Sequence, residues 1–562
     1  MRLTATPPLT GAQYLADALQ TAGISHVFFV PVVLTPALAE MDRRGVVGVM
    51  THGEKAAAYM ADGYARASRR VGICMAQVIG AANLAAGLRD AYLAGSPVVA
   101  LTGGPLPESR HRRVYQEIDD FPLFVPLTKF NARVDTVARL PDLLQQAFRV
   151  ATTGRPGPVH LEIAGHFGQA ADGPGRLDCP FEPSFAAVPP LRTAAEPAAI
   201  EQALHWLHRA ERPIAVVGGG VVWSGAEAEV LALAEALQLP VATSLNAKGT
   251  IPEDHPLSVG VPGSYARSCA NRAVAEADLV FFIGSGTGSQ VTHCWRLPRP
   301  GTRVIQLDIE PAELGRHYAN VVSLWGDART VLRQLRAAAW PPPARRTWLG
   351  RIAQLVADWR ADAQPLRLSD AVPIRPERLC RELQEALPPD AILVSETGHA
   401  GIWTGTQVEL HHARQRYLRA AGSLGWGLPA ALGAKCACPD RPVICFSGDG
   451  GFYYHIAELE TAVRYGISAV IVVNNNRSLN QETRIFAQAY GGQQTSGFKM
   501  WQFEDVNLAR VAEAFGCHAE RVEQPAEIRP ALERALASGR PAVLDVVTDI
   551  RALPPDPWTP DI

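Results

Sequence analysis

The chain has 562 residues, of which 47% are hydrophobic and 19% charged, and its 53 Lys and Arg residues nearly balance 55 Asp and Glu residues. Its length predicts several domains, and its balanced charge excludes a strongly basic protein that binds nucleic acid or an anionic membrane surface. The nine cysteines lack metal-site spacing, the N-terminus has no signal sequence, and no apolar run could span a membrane, so we expect a cytoplasmic protein with free thiols.

Short β-branched runs alternate with helical patterns along the chain, which is typical of parallel βαβ units. The predicted strands are HVFFV, VGICMAQV, SPVVALTGG and GPVHLEI in residues 1–170, RPIAVVGGG, LPVATSL, ADLVFFIGSG and TRVIQLDIEP in 190–345, and DAILVSETG, RPVICFSGDG, SAVIVVNNN and RPAVLDVVTD in 370–550. The sequence therefore predicts an α/β protein with three consecutive doubly wound parallel-sheet domains. A proline-rich tail, 551–562, either folds over the active site as a lid or is unstructured.

Polar residues follow two neighbouring predicted strands of the third domain. Asp449 lies between glycines after one strand, and Asn476 ends the next. Both strand ends emerge at the carboxyl edge of the sheet, where open α/β sheets bind ligands. Glycines let the backbone approach a phosphate, and a carboxylate there requires a cation such as Mg²⁺, which prefers oxygen ligands. The alternative is an Asp-Gly turn beside a polar strand end.

These two segments, VICFSGDGG and VVNNNRS, resemble the diphosphate–metal motif of thiamine-diphosphate enzymes, the group of acetolactate synthase, pyruvate oxidase, pyruvate decarboxylase and benzaldehyde lyase. The resemblance implies thiamine diphosphate and Mg²⁺ as cofactors. It makes Asp449, Asn476 and the carbonyl of Ser478 the metal ligands, and it places the diphosphate against Gly450 and Gly451.

Two further segments extend this resemblance. THGEKAAAYMADGYARAS is similar to the family segment whose glutamate hydrogen-bonds the aminopyrimidine ring, so Glu54 is expected to activate the cofactor; the alternative is an exposed helical glutamate. Gly80 and Asn83 in VIGAAN retain part of a family pocket turn. RAAGSLGWGLPAALGAK resembles the segment with the apolar wedge under the bent cofactor, which implies that Leu424 is the wedge and that Gly422 contacts the cofactor; a core leucine is the alternative.

Other candidate residues depart from the family or match it briefly. VSETGHAGIW resembles a segment lining the diphosphate, which makes His399 a cofactor-binding candidate, with a solvent-facing histidine as the alternative. Val33 and Leu34 stand where many members carry polar groups, so that side of the substrate pocket is expected to be apolar. Gln116 matches the family's F-Q-E turn and is expected to face the substrate as a catalytic group.

The segment RSLNQET after the asparagine cluster is unusual for the family. Asn480 and Gln481 are expected to form a polar wall of the substrate pocket. Glu482 aligns with a glutamate that moves protons in pyruvate decarboxylases, so Gln481 and Glu482 are candidate catalytic residues. The alternative is an exposed, polar first helical turn.

The resemblance implies an acetolactate-synthase-like carboligase that acts on 2-oxo acids or related small carbonyl compounds through an ylid and an enamine. The alternatives are a non-oxidative decarboxylase or 1,2-diketone hydrolase, favoured by Glu482, a redox enzyme with FAD in the central domain, and an inactive paralogue. VVGGGVVWSG is not a dinucleotide fingerprint, so FAD is left open. The resemblance further implies a homodimer or homotetramer with active sites at subunit interfaces.

Overall fold

The computed structural model describes residues 9–175, 177, 180–342, 344–492 and 496–561. Three six-stranded sheets are present, and neighbouring strands are parallel in every pair. The predicted fold class, three α/β domains with parallel sheets, is therefore confirmed. The domain boundaries themselves stay predictions, although the strands of each sheet lie within one predicted range.

The strands are numbered in chain order. The first sheet contains β1 His26–Phe29, β2 Val47–Met50, β3 Gly72–Ala76, β4 Val98–Gly104, β5 Asn131–Val134 and β6 Val159–Ala164, in the order 2-1-3-4-6-5. The second contains β7 Pro213–Val217, β8 Val241–Thr243, β9 Ser258–Gly260, β10 Leu279–Ile283, β11 Arg303–Asp308 and β12 Asn320–Trp325, in the order 12-11-10-7-8-9. The third contains β13 Ile392–Ser395, β14 Arg416–Arg419, β15 Val443–Gly448, β16 Val470–Asn475, β17 His518–Val522 and β18 Ala542–Val547, in the order 14-13-15-16-18-17.

The helices cover the strand connections. They are α1 Gly11–Thr21, α2 Thr35–Arg43, α3 Glu54–Ser68, α4 Ala81–Ala94, α5 Leu140–Thr152, α6 Pro197–Arg209, α7 Gly219–Ser224, α8 Glu227–Leu237, α9 Ser268–Glu276, α10 Ala328–Ala338, α11 Arg346–Arg367, α12 Pro376–Ala386, α13 His399–Gln407, α14 Gly427–Ala437, α15 Asp449–Tyr453, α16 Glu458–Arg464, α17 Thr483–Ala489, α18 Leu508–Phe515 and α19 Ile528–Ala537. Among the described residues, no helix is both long enough and apolar enough to cross a bilayer. Eight described cysteines are free thiols, and Cys179 lies outside the described residues.

The chain divides into two compact units. The first contains the residues up to Pro190 together with Ala421–Asp440 and His455–Ala469. Its sheet is covered by a core of aliphatic and aromatic side chains, and α3 packs closely on α14. A Cβ on Gly63 would lie 2.1 Å from the carbonyl oxygen of Ala430, and one on Gly433 would lie 1.9 Å from that of Met60. The two helices therefore approach backbone to backbone, which only glycine permits at these positions.

The second unit contains Leu191–Ala420, Arg441–Tyr454 and the residues from Val470 onward. It holds the second and third sheets, each buried by its own helices. The C-terminal tail has no regular secondary structure in its described residues, 551–561, and these are bonded to the central domain within this unit. The Trp558 carbonyl accepts a hydrogen bond from the Asn271 side chain at 2.9 Å, and the Thr559 hydroxyl lies 2.9 Å from His293 Nε2.

Candidate active site

Glu54 begins helix α3 in the first unit, directly after the extended N-cap residue Gly53. Its carboxylate accepts a hydrogen bond from the Asn83 side chain at 3.2 Å. It also lies against Gly80, where a Cβ would come within 2.4 Å of Glu54 Oε1. The structure therefore brings the predicted residues Glu54, Gly80 and Asn83 together, and Gly80 provides the space that the carboxylate occupies.

The turn that precedes Glu54 is held by helix α16 of the same unit. The Met50 N–H donates to the Tyr465 hydroxyl at 3.0 Å, and the His52 N–H donates to the buried Glu458 carboxylate at 3.0 Å. His52 Nε2 also lies 2.7 Å from Glu460 Oε2. These contacts fix the backbone immediately before Glu54, so the orientation of its side chain depends on this second segment.

The loop carrying Gly422 and Leu424 is bound by a buried carboxylate. Asp90 accepts hydrogen bonds from the Ala421 N–H at 2.7 Å and the Ser423 N–H at 3.0 Å. The same carboxylate accepts from Arg66 at 3.1 Å, and both side chains are buried. A Cβ on Gly422 would meet nothing within 4 Å, and Leu424 is half-buried. The loop is thus anchored at its backbone while its predicted cofactor-contacting residues stay accessible.

The predicted pocket residues of the first unit differ in accessibility. Val33 and Leu34 are fully buried in the core of this unit, while the preceding Val32 is 46% exposed. Gln116 has a left-handed backbone with φ of 63°. Its turn is closed by Glu117, whose carboxylate accepts backbone hydrogen bonds. Non-glycine residues rarely adopt this conformation, and such strain concentrates at functional sites. The pocket roles of Val33, Leu34 and Gln116 stay predictions, and Val32 is the apolar side chain of its turn that solvent reaches.

Asp449, in the second unit, is almost completely buried at the end of β15. Its carboxylate accepts hydrogen bonds from the Gly450 N–H at 2.8 Å and the Ser478 N–H at 3.0 Å. Burial raises the pKa of the Asp449 carboxyl to about 7, against the opposing effect of these backbone donors. A buried carboxylate with only N–H partners is stabilised by a cation, so this environment fits a metal ligand.

The asparagine cluster supplies oxygen atoms beside Asp449. Asn476 Oδ1 accepts a hydrogen bond from the Ser478 hydroxyl at 2.9 Å, and both residues are buried. Between them Arg477 has a left-handed backbone with φ of 59°, which turns the chain sharply after β16. Asn475 instead donates to Asp545, and Asn474 Oδ1 is buried with no hydrogen-bond partner in the described part of the chain. One carboxylate with amide and backbone oxygens suits Mg²⁺ more than a softer metal.

The glycines after β15 have different surroundings. A Cβ on Gly450 would lie 2.4 Å from Leu479 Cδ2, and one on Gly451 would lie 2.6 Å from Glu396 Cγ. A Cβ on Gly448 would meet nothing within 4 Å. Gly450 and Gly451 therefore lie close to neighbouring side chains, and the backbone at Gly448 is open. The contact of Gly450 and Gly451 with a diphosphate stays a prediction.

His399 begins helix α13, and Gln481 lies near the same turn. The Nδ1 atom of His399 is buried and has no hydrogen-bond partner among the described residues. Burial, assisted by the nearby Arg484, lowers the pKa of His399 to about 4, so the ring is neutral at physiological pH. A Cβ on Gly398 would lie 3.1 Å from Gln481 Oε1. An unpartnered ring nitrogen beside an exposed amide fits a ligand-binding position.

Asn480 and Glu482 have different environments although they are close in sequence. Asn480 is buried, its amide donates to the Ala552 carbonyl at 3.2 Å, and its Oδ1 accepts from the Thr483 hydroxyl at 2.7 Å. The bond to Ala552 connects the segment to the C-terminal tail, as does the ion pair between Arg484 and Asp556. Glu482 is half-buried at the start of α17. The pocket role of Asn480 and the catalytic role of Glu482 stay predictions.

Two glycines of the turn after β7, Gly218 and Gly220, pack against another loop of the central domain. A Cβ on Gly218 would lie 2.3 Å from the Gly284 carbonyl oxygen, and one on Gly220 would lie 2.9 Å from the Gly284 Cα. This turn therefore packs on the loop after β10. FAD binding by the central domain, an alternative that the sequence leaves open, is not tested by this packing.

Comparison with known proteins identifies the family. Sequence models of the thiamine pyrophosphate enzyme N-terminal TPP binding domain, central domain and C-terminal TPP binding domain match residues 9–123, 200–335 and 396–546. A probable acetolactate synthase large subunit of Methanocaldococcus jannaschii is 35% identical over 97% of this chain and 93% of its own length. The chain belongs to the thiamine pyrophosphate enzyme family.

Other relatives in this family have similar names. An acetolactate synthase of Arthrospira platensis is 34% identical over 96% of this chain and 94% of its own length. The acetolactate synthase isozyme 2 large subunit of Escherichia coli is 32% identical, and 96% of each chain is covered. The predicted resemblance to this family is therefore confirmed, and within it the similarity is to acetolactate synthases.

Sequence reasoning did not identify two residues that support the site. Asp90 lies in α4, where a charged residue on an otherwise apolar helix face was the available signal. Glu458 follows the glycine-rich stretch and could have been noticed as an acidic residue at the start of a buried helix. Neither residue is adjacent in sequence to the loop it binds, so only the folded chain reveals these roles.

Proposed function

We propose that the protein is a thiamine-diphosphate- and Mg²⁺-dependent carboligase. It would transfer the acyl group of one 2-oxo acid, with loss of its carboxylate as CO₂, to the carbonyl of a second, which is the chemistry that forms acetolactate from two pyruvate molecules. The observation that carries this proposal is the similarity to acetolactate synthases along nearly the full length of the chain. The hydrogen bonds of Glu54 with Asn83 and of Asp449 with Ser478 support it. The decarboxylase and diketone-hydrolase alternatives are not favoured, because the relatives are named acetolactate synthases.

Asp449, Asn476 and the carbonyl of Ser478 would hold Mg²⁺ and, through it, the diphosphate. Bound thiamine diphosphate would supply a carbon nucleophile and an electron sink. Glu54, oriented by Asn83 and by the turn that α16 holds, would hydrogen-bond the pyrimidine ring and fix its protonation state. These roles need little rearrangement because the supporting hydrogen bonds are already present.

The remaining predicted residues would define the cofactor shape and the substrate pocket. Leu424, on the loop that Asp90 anchors, would provide an apolar contact that supports the bound cofactor. Neutral His399 and the adjacent Gln481 would offer hydrogen bonds without adding charge to the pocket. Gln116 would face the substrate from its strained turn, and Glu482 would be available to move a proton.

Turnover can be tested directly with ¹³C-labelled pyruvate, thiamine diphosphate and Mg²⁺, alone and with other 2-oxo acids and aldehydes, followed by carbon NMR. Labelled acetolactate or a mixed acyloin is the expected product. Acetaldehyde as the only product would refute the carboligase and implicate Glu482 in proton transfer. No turnover with any donor, despite bound cofactor, would support an inactive paralogue.

We further propose a homodimer or homotetramer in which Glu54 of one subunit serves the Asp449 site of another. Mixing Glu54→Gln and Asp449→Asn chains tests this arrangement, since each variant alone lacks one essential group at every site. Random reassociation would leave half the dimers mixed, each with one intact site, and restore about a quarter of wild-type activity. No recovery in mixed dimers, verified by two different affinity tags, would show that each site is built by one chain.

Binding of the cofactor has its own assay. Titration of the protein with thiamine diphosphate, followed by calorimetry, is expected to require Mg²⁺ and to fail in Asp449→Asn. Glu54→Gln serves as the matched variant and should keep cofactor affinity while losing turnover. Equal affinity with and without a chelator would contradict the assignment of Asp449 as a metal ligand.

A further inference from the structure

A cavity of about 310 Å³ lies in the second unit beside α11 and α12. It is lined on one side by Trp359, Arg360 and Arg367 of α11, and on the other by Arg381 and Glu409. Three guanidinium groups thus border a small space with a single carboxylate among its lining residues. None of these residues belongs to the candidate active site.

Arg367 is the least compensated of these cations. Its guanidinium donates to the carbonyl of Gln407 and to Gln384 Oε1, which are neutral acceptors. Burial lowers the pKa of Arg367, with only partial compensation from neighbouring charges. Arg381, by contrast, has ion pairs with Glu382 and Glu385.

The carboxylates beneath the cavity do not balance the positive charge of the arginines that line it. Glu409 Oε1 is shared by Arg360 at 2.9 Å and the buried Arg267 at 3.5 Å. Arg267 also approaches Glu253, which already pairs with the buried Lys248 at 2.6 Å.

Within the described part of the chain, the contacts above set the cations Lys248, Arg267, Arg360 and Arg367 against two carboxylates, those of Glu253 and Glu409. The carboxyl end of α13 offsets about half a positive charge more, because Arg267 and Arg367 bind its last carbonyl groups. An excess of more than one positive charge is left in a partly buried cluster. Such an excess is costly unless an anion binds, and paired guanidinium groups match the oxygens of phosphates and carboxylates.

We propose that this cavity binds a small organic oxyanion, with its phosphate or carboxylate group between Arg360 and Arg367. The cavity is larger than an inorganic ion requires, and Trp359 and Leu368 supply apolar surface for an attached organic group. The site is separate from the groups assigned to cofactor and catalysis, so its occupant is a regulator or a stabilising metabolite rather than a substrate.

Binding is tested on the holoprotein, with saturating thiamine diphosphate and Mg²⁺, so that the probe does not occupy the cofactor site. The thermal midpoint is measured against inorganic phosphate, phenyl phosphate, benzoate and, at matched ionic strength, chloride. We expect a saturable rise with one or more oxyanions and none with chloride. A larger rise in the thermal midpoint with phenyl phosphate than with benzoate identifies a phosphate ligand, and the reverse order identifies a carboxylate.

Variants connect this effect to the cavity. Arg367→Gln is expected to weaken binding of the preferred probe at least about tenfold, since a charge-assisted contact is lost. Arg360→Gln, which is more exposed, should do the same if Arg367→Gln impairs folding. Arg414→Gln removes an arginine that is 79% exposed and lies outside the cavity, and it should bind like the wild type. Equal binding by all variants, or no shift beyond chloride, would overturn the proposal without affecting the proposed catalytic function.

Discussion

Replacing Asp90 with Asn is expected to destabilise the first unit and weaken cofactor binding together. The carboxylate accepts from the Ala421 and Ser423 N–H groups and from Arg66. An Asn side chain keeps one acceptor but turns an NH₂ group toward a donor, while Arg66 keeps its ion pair with buried Asp62 at 2.7 Å. Leaving a buried N–H group without its acceptor costs about 1–3 kcal/mol.

For a unit of this size, that loss corresponds to a fall of roughly 5 °C in the first thermal transition. The assay is a melting curve with and without thiamine diphosphate and Mg²⁺, followed by a cofactor titration at a temperature where both proteins are folded. Asp135→Asn is the matched control, because the Asp135–Arg110 pair is partly exposed and should contribute less than about 1 kcal/mol. Equal midpoints for the two variants, with unchanged cofactor affinity, would refute the reasoning.

Three further outcomes are expected. Gly433→Ala should lower the thermal midpoint by the equivalent of about 1–3 kcal/mol or more, because its Cβ would lie 1.9 Å from a carbonyl oxygen on the facing helix. The control Gly350→Ala lies in open space within α11 and should raise the midpoint slightly. Burial lowers the pKa of His160 to about 3 from 6.5. As pH falls below 6.5, only the unfolded chain takes up this proton, so the free energy of unfolding should decrease by up to about 1.4 kcal/mol per pH unit. His160→Gln should flatten that decline in melting curves between these values, and an unchanged slope would contradict the assignment. Glu458→Gln should slow hydrogen–deuterium exchange at the reactive carbon of bound cofactor, measured by NMR, more than Tyr465→Phe does; exchange at the wild-type rate would argue against positioning of Glu54 by α16.

The sequence predicted the central strands of each sheet and missed the edges for a physical reason. All twelve predicted strands occupy the four inner positions of their sheets, where both faces are buried and the residues form apolar runs. The two edge strands of each sheet differ: β2 begins with exposed Val47, β17 is only partly buried, and β9 has three residues. Such short or half-polar segments have no distinct sequence pattern and become strands only because a neighbouring strand is present.

The candidate site was predictable to the extent that it rests on contiguous motifs. Asp449 and Asn476 could be identified because they follow two neighbouring apolar strands, and Glu54 and Gly80 because their segments resemble motifs of the family. The burial of Val33 and of Asn480 could not be foreseen, since it depends on which side of a turn faces the core or the C-terminal tail.

The close crossing of α3 and α14 has a practical consequence for anyone dividing this chain into pieces. A fragment ending near residue 190 would retain every strand of the first sheet, yet it would leave the glycine- and alanine-rich face of α3 bare, because the helix that covers it is encoded more than two hundred residues later. We expect such a fragment to aggregate on expression. A soluble version would require Ala421–Asp440 and His455–Ala469 to be supplied as well, either grafted by short linkers or co-expressed.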